Sequence, residues 1–424
     1  MNLKYLIINN KLIKSFGIYT FAKVINSCIP LFMLPIMTKY LSPADYGIIS
    51  MITTFAAFVL PFVSVNTDSA IVRKYYDKNE NILDYIGTCV SIVIVMCVVF
   101  TLIVSVFAND ISRLTQIPNY ILYFVPLYCV FTFFKTIVLY SWQVNGEPIK
   151  YGLFSIILTA IEIGIALFSI ICLGLNWQGR AFSLFTTALL ATLFAVIYLR
   201  KQQMIRICYN KENAYHAIKY GSGLIPHAIG VSLMVLANRF FITNMVSINE
   251  TGLYGVATQL ASLISFITLS FNNAYVPWLF EKLSLGSDVE NKRVVRITYL
   301  YYFALAIVIV IAFLLILLIY PLFVNDNFNG SIKYIPLLLI GNAFQGCYFM
   351  VTNYIMYSEK TYLNGLITLV ITVISLLANY IFIKMLGGIG AAVAYATTYF
   401  LYFVITWIVS MKVCKMPWFN ILKK

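Results

Sequence analysis

Four ionisable residues stand inside long apolar stretches of this 424-residue chain: Lys23, Lys135 and Arg239, which are basic, and Glu162, which is acidic. A charged side chain in hydrocarbon is costly, so such residues face protein or a wet cavity and mark pathways, relays or binding sites. Three cations against one carboxylate leave the apolar interior net positive. That chemistry suits a phosphate, because lysine offers a compact charge and arginine a two-pronged fork for phosphate oxygens. Lys23 and Lys135 lie about 10–12 Å from the nearer ends of their stretches at about 1.5 Å per residue, and Arg239 is comparably close to the opposite interface. A long side chain reaches part of that way to water, so a lumen-facing and a snorkelling reading are both open. Glu162 is different. It sits near the middle of its stretch on a short stem, and must pair with a cation, sit in water or take a proton. Each makes it a candidate for ion coupling or for a gating salt bridge, beside the plainer reading of a structural partner to one cation. Asp68 and Arg73 close the second stretch, are placed to pair with each other, and join Glu162 as coupling or gating candidates.

Uncharged polar residues recur at helical spacing along the same stretches. Thr20, Asn26 and Ser27 accompany Lys23; Tyr128 and Thr132 precede Lys135; Ser155 and Thr159 precede Glu162. Gln259, Asn342 and Gln345 extend the pattern into the second half of the chain, and with Asn26 they are candidates to line a cavity. The alternative is hydrogen bonding between helices. Pro30 and Pro35 interrupt the first stretch, and Gly223 and Pro226 interrupt the seventh, which marks both as candidate hinges.

The elements that must position these residues follow from composition. The chain is 61% hydrophobic and 10% charged, with a mean hydropathy of +0.89. A soluble domain carries roughly 25% charged residues. Apolar runs of about twenty residues, long enough to cross a bilayer as helix, recur throughout and lack the alternation of a β-barrel. The expected class is an all-α polytopic membrane protein with about twelve spans, at 15–38, 46–70, 82–107, 119–142, 151–173, 179–199, 218–245, 252–280, 293–320, 335–357, 362–385 and 390–411. The first is read as a retained signal-anchor. Twenty-one of the 29 lysines and arginines fall in segments on one side, whereas Lys39, Arg113, Arg180, Lys333 and Lys384 fall in turns on the other. That asymmetry places both termini in the cytoplasm. The net charge of +14 is then mostly topological, and nucleic acid is not an expected partner. Eight cysteines without a CxxC and only two histidines, His216 and His227, point to neither a disulfide framework nor a metal site. No cofactor is expected beyond a coupling ion, H+ or Na+.

Three pairs keep nearly one spacing along the chain: Tyr46-Gly47 with Tyr254-Gly255, Glu147 with Glu359, and Gly179-Arg180-Ala181 with Gly390-Ala391-Ala392. They suggest two six-helix bundles, residues 1–210 and 211–424, joined by the basic stretch 200–219. Six is even, so the halves would be parallel repeats related by a pseudo-two-fold along the membrane normal, with a central cavity between them.

The segment TKYLSPADYG after a proline-containing first span, followed by DSAIVRKYY closing the second, resembles the polysaccharide-biosynthesis flippases. These are the Wzx-type O-antigen and capsule repeat-unit translocases, within the superfamily that includes the multidrug and toxin extruders. The resemblance implies a multi-pass protein of the bacterial inner (plasma) membrane. Its implied substrate is an undecaprenyl-pyrophosphate-linked oligosaccharide, flipped from the cytoplasmic to the periplasmic leaflet by alternating access. Membrane lipid is a necessary partner, and the basic 200–219 loop is open to docking by other polysaccharide-assembly proteins. A multidrug extruder ranks second, since an acidic lumen would be expected there, and a lipid II-type flippase is close to the main reading. A membrane enzyme ranks lower, because no nucleophile–base pair, phosphate loop or metal cluster is present in the sequence.

Overall fold

A computed structural model describes residues 26, 30–75, 82–204 and 208–418. Among them every regular element is helical. A first helix, α1, covers 30–40. There follow α2 (Pro43–Ser64), α3 (Thr67–Tyr75), α4 (Ile82–Thr115), α5 (Asn119–Leu122), α6 (Val125–Val144), α7 (Pro148–Leu167), α8 (Trp177–Lys201), α9 (Lys211–Met245), α10 (Ile248–Ser284), α11 (Asp288–Phe323), α12 (Ile335–Tyr357), α13 (Tyr362–Leu386) and α14 (Ile389–Val413). Eleven helices among the described residues are long and apolar enough to cross a membrane, and each overlaps one of the expected spans from the second to the twelfth. Most of the expected first span lies outside the described residues, Lys23 with it.

The second span is not one helix. It breaks at Val65 and Asn66, both in the left-handed region at φ 51° and 47°. Asparagine tolerates that conformation and valine does not, so the break is held by its surroundings. Thr67 Oγ1 donates to the Ser64 carbonyl at 2.8 Å, and the Asn66 N–H donates to Ser64 Oγ at 3.1 Å. Gly221 of α9 packs so closely on the Val65 carbonyl that a Cβ there would collide with it. The prolines divide by position. Pro126 and Pro336 sit in the first turns of α6 and α12, where a missing N–H costs nothing, and start helices rather than kink them. Pro61, Pro226, Pro277 and Pro321 lie inside helices.

The chain gathers into two compact units: Met1–Met33 with Ile48–Ser232, and Leu34–Gly47 with Leu233–Lys424. The division therefore falls inside α9, at 232/233, and not in the 200–219 connection where the boundary between residues 1–210 and 211–424 was expected. It also assigns residues 34–47 to the second unit. Both first helices of the expected repeats are thus divided close to their prolines, Pro30 and Pro35 in one and Pro226 in the other. The first unit is built from α4, α6, α7 and α8 with α3 against α4 and α6, around Tyr85, Cys89, Val93, Phe133, Ile137 and Leu199. The second packs α12 against α10, α11 and α14, and α13 against α14, with Leu279, Val294, Met350 and Tyr354 in one core and Ile355, Ile371 and Tyr402 in the other.

Within the second unit the repeated turn acquires a definite register. Ser42 caps α2: its Oγ donates to Asp45 Oδ2 at 2.5 Å and accepts from the Asp45 N–H at 3.2 Å. Ser247 caps α10 and accepts from the Glu250 N–H at 3.1 Å. A serine cap with an acid three residues on is the same N-terminal device in both places. Five residues after each cap comes a glycine, Gly47 and Gly252, and they approach reciprocally. A Cβ on Gly47 would strike the Ile248 carbonyl, and one on Gly252 the Pro43 carbonyl. Ser42–Gly47 therefore corresponds to Ser247–Gly252, so Gly47 is matched by Gly252 and not, as the Tyr-Gly letters suggest, by Gly255. The other glycine pair keeps its equivalence, since Gly179 seats the start of α8 on Ile170, in the π-helical turn Phe168–Cys172 that follows α7, and Gly390 seats the start of α14 on Phe382 near the end of α13.

Candidate functional site

Two of the polar stripes meet. Tyr128, Lys135 and Leu139 repeat along one face of α6, and Ser155, Thr159 and Glu162 along one face of α7, each at the three-, four- and seven-residue intervals of a helix. These faces, with Leu184, Thr187 and Ala188 of α8, enclose a cavity of about 230 Å³ inside the first unit, which Asn26 also lines. Thr159 Oγ1 donates to Asn26 Oδ1 at 3.0 Å.

Glu162 is paired. Its Oε1 lies 2.7 Å from Arg180 Nη2, with the two side chains 27% and 22% exposed. Arg180 is held in turn by Ser183, whose Oγ lies 3.2 Å from Nη1 and donates to the Arg180 carbonyl at 2.8 Å. Sequence reasoning put Arg180 in an outer turn. It stands in the first turn of α8, and its long stem carries the guanidinium inward to the carboxylate. Lys135, within electrostatic reach of Glu162, forms no hydrogen bond or ion pair with any described residue. Thr187 Oγ1 is buried in the same wall and also lacks a described partner. The cavity is thus lined by one carboxylate, already held by Arg180 from beyond the lining, by one ammonium with no partner among the described residues, and by several hydroxyls. That arrangement accepts an anion together with its hydration or hydroxyl groups.

The other candidates are placed elsewhere. Asp68 and Arg73 do not pair, for they stand five residues apart on α3 and so project about 140° apart around the helix. Arg73 lines a separate cleft with Tyr140, Gln143 and Tyr220. Arg239, on α9, belongs to the second unit, where Nη1 lies 3.5 Å from the Val235 carbonyl and Tyr254 and Tyr395 are electrostatic neighbours. Gln259, Asn342 and Gln345, expected to line a cavity, hydrogen-bond to neighbouring helices of that unit. Tyr46 donates to Gln259 Oε1 at 2.6 Å, Asn342 donates to the Ala261 carbonyl at 2.8 Å and accepts from Tyr395 at 2.6 Å, and Gln345 donates to Tyr399 at 3.2 Å. A side-chain amide carries donors and an acceptor, so neighbouring helices satisfy it without water. Pro35 lies within helical α1, and Gly223 and Pro226 within continuous α9.

Architecture and cavity together describe a multi-pass helical membrane protein of transporter fold. The inward-facing form of a multidrug resistance MATE transporter of the MOP superfamily superposes with a TM-score of 0.73 at 13% identity, over 91% of this chain and 94% of that one. The lipid II flippase MurJ, in an inward closed conformation, superposes at 0.75 and 14% identity, over 93% and 87%. The family model for "Polysaccharide biosynthesis protein" matches residues 12–282, and the chain belongs to that family. Its curated relatives include an uncharacterized membrane protein of Haemophilus influenzae, 24% identical over 89% of this chain and 90% of its own length. Another, Lsg locus putative protein 1 of the same organism, is 24% identical over 86% and 89%. The probable multidrug resistance protein YoeA of Bacillus subtilis is 24% identical over 55% of this chain and 56% of its own.

Proposed function

We propose that this protein flips undecaprenyl-pyrophosphate-linked oligosaccharide repeat units from the cytoplasmic to the periplasmic leaflet of the inner membrane, for O-antigen or capsule synthesis, with both termini cytoplasmic. The observation that carries the reading is the Lys135 ammonium in a cavity whose one carboxylate, Glu162, is already neutralised by Arg180, in a member of a polysaccharide biosynthesis family. A diphosphate is the anionic part of such a substrate, and the ammonium of Lys135 is the group in this cavity left for it. The lipid tail stays in the bilayer, where burying it costs nothing. The Glu162–Arg180 pair supplies the element that an ion gradient acts on, because protonating the carboxylate releases the guanidinium.

Deleting the gene in its native host tests the reading. Lipid-linked repeat units accumulate in the cytoplasmic leaflet and surface glycan is lost, and the intact gene rescues both. In the same host Lys135→Ala lowers export at normal protein level, and Lys135→Arg retains part of it. Normal surface glycan on deletion, with altered sensitivity to cationic drugs, would favour the second reading. That reading is a multidrug extruder, supported by the partial similarity to YoeA and by Glu162 as an acid for organic cations.

A further inference from the structure

Away from the buried cavity, three helices of the first unit meet in an open cleft of about 480 Å³. Ser69 and Arg73 come from α3, Tyr140 and Gln143 from α6, and Tyr220 from α9, with valine and leucine side chains between them. Its walls are fixed from several sides. The left-handed break at Val65-Asn66 sets α3 off from α2. Gly221, next to Tyr220, is seated on the Val65 carbonyl with no room for a side chain. Tyr75 donates to Asn145 Oδ1 at 3.1 Å, tying the end of α3 to the end of α6. A conformation that valine resists, clamped by a glycine and a side-chain bridge, is a cost the fold bears to hold this geometry.

The lining is unlike that of the cavity. Two tyrosine rings present an apolar face and a polar tip, Gln143 offers amide donors and an acceptor, Ser69 a hydroxyl, and Arg73 a planar fork of N–H groups. A pyranose has the complementary surfaces, a C–H face for a ring and an edge of vicinal hydroxyls for an amide. A phosphate attached to that sugar meets the fork of Arg73. We propose that this cleft recognises the glycosyl diphosphate end of the lipid-linked substrate, the first sugar with its adjoining phosphate, and that Gln143, Tyr140 and Tyr220 determine which sugar is accepted. The proposal rests on the lipid-linked oligosaccharide reading and adds a loading site to it. Recognition of a hydroxyl by a built donor–acceptor pair discriminates far better than apolar contact does, because the wrong ligand leaves a polar group unpaired.

The test uses the full chain in phospholipid nanodiscs, with farnesyl diphosphate and a panel of farnesyl diphosphates carrying a hexose, an N-acetylhexosamine or a uronic acid. At least one glycosylated probe binds more tightly than the bare diphosphate. Gln143→Ala and Tyr220→Ala each erase about tenfold of that preference, the weight of one or two hydrogen bonds, and leave binding of the bare diphosphate unchanged. Both residues are exposed, so folding is retained, which the melting temperature checks. Arg73→Ala weakens every probe alike. If the unsubstituted protein prefers no glycosylated probe, or keeps its preference in both variants, the cleft is not the sugar site while the flippase reading stands. Failure of the unsubstituted protein to bind any of the probes would remove both.

Discussion

An ammonium sharing a 230 Å³ cavity with a carboxylate already held by a guanidinium is satisfied by water, by a hydroxyl or by an arriving anion. Removing either partner of the Glu162–Arg180 pair alone leaves the other's charge without its ion-pair partner, whereas removing both leaves neither member of the pair and only the Lys135 ammonium. Glu162→Gln and Arg180→Gln should each lower the melting temperature, and the double variant should recover part of the loss. The coupling is about 1–2 kcal/mol in a double-mutant cycle, reduced from that of a fully buried pair because a quarter of each side chain is exposed. A purely structural pair would stop there. A coupling role adds a second signature: Glu162→Gln flattens the dependence of export on an imposed proton gradient. Transport by that variant that still tracks the gradient like the parent would exclude it. Lys135, Glu162 and Asn26 were legible as cavity residues from helical spacing and charge. Arg180 was not, because counting residues from a span end gives the depth of a backbone atom and ignores how far an arginine reaches.

At the scale of elements, the clearest device is the pair of capped helix starts at Ser42 and Ser247 with facing Gly47 and Gly252. Small residues let two helix backbones touch, which in lipid, where no hydrophobic force drives helices together, supplies much of the attraction. Gly252→Val should separate them and lower the yield of folded protein, with a destabilisation of about 1–3 kcal/mol. Gly223, in α9, is the opposite case, for nothing lies within 4 Å of where its Cβ would be. Gly223→Ala therefore introduces no clash and raises helix stability by about 0.5–1 kcal/mol. If α9 bends during transport, this variant exports more slowly while melting no lower. Unchanged export would argue against a hinge there.

For the whole molecule, the distribution of lysine and arginine predicts that reporters fused after Lys201 and at the C-terminus lie in the cytoplasm, and those fused near Lys333 outside it. Alkaline phosphatase fusions, active only outside, should be silent at the first two positions and active at the third; the reverse pattern would invert the assignment of loading and release faces. The two compact units bear on motion as well. Residues 34–47 of the N-terminal segment belong to the second unit, and α9 up to Ser232 belongs to the first. Each unit thus includes the part of a proline-bearing helix that a simple cut at the basic connection would have given to the other.

Hydropathy and the periodic polar stripes determined the class, the eleven described spans and which faces of α6 and α7 are polar. These are properties of single helices: a bilayer demands about twenty apolar residues in a row, and a helix puts every third or fourth residue on one face. What only the tertiary structure decided were relations between helices. It gave Glu162 its partner, gave Gln259, Asn342 and Gln345 hydrogen bonds to neighbouring helices, and placed Asp68 and Arg73 on different faces of a helix that begins at an unforeseen break. It also showed that Gly47 is matched by Gly252, because a cap and a backbone approach set the register where letter identity pointed three residues further on. A polar residue in an apolar stretch states only that it needs a partner; which partner it finds depends on the packing of the other helices.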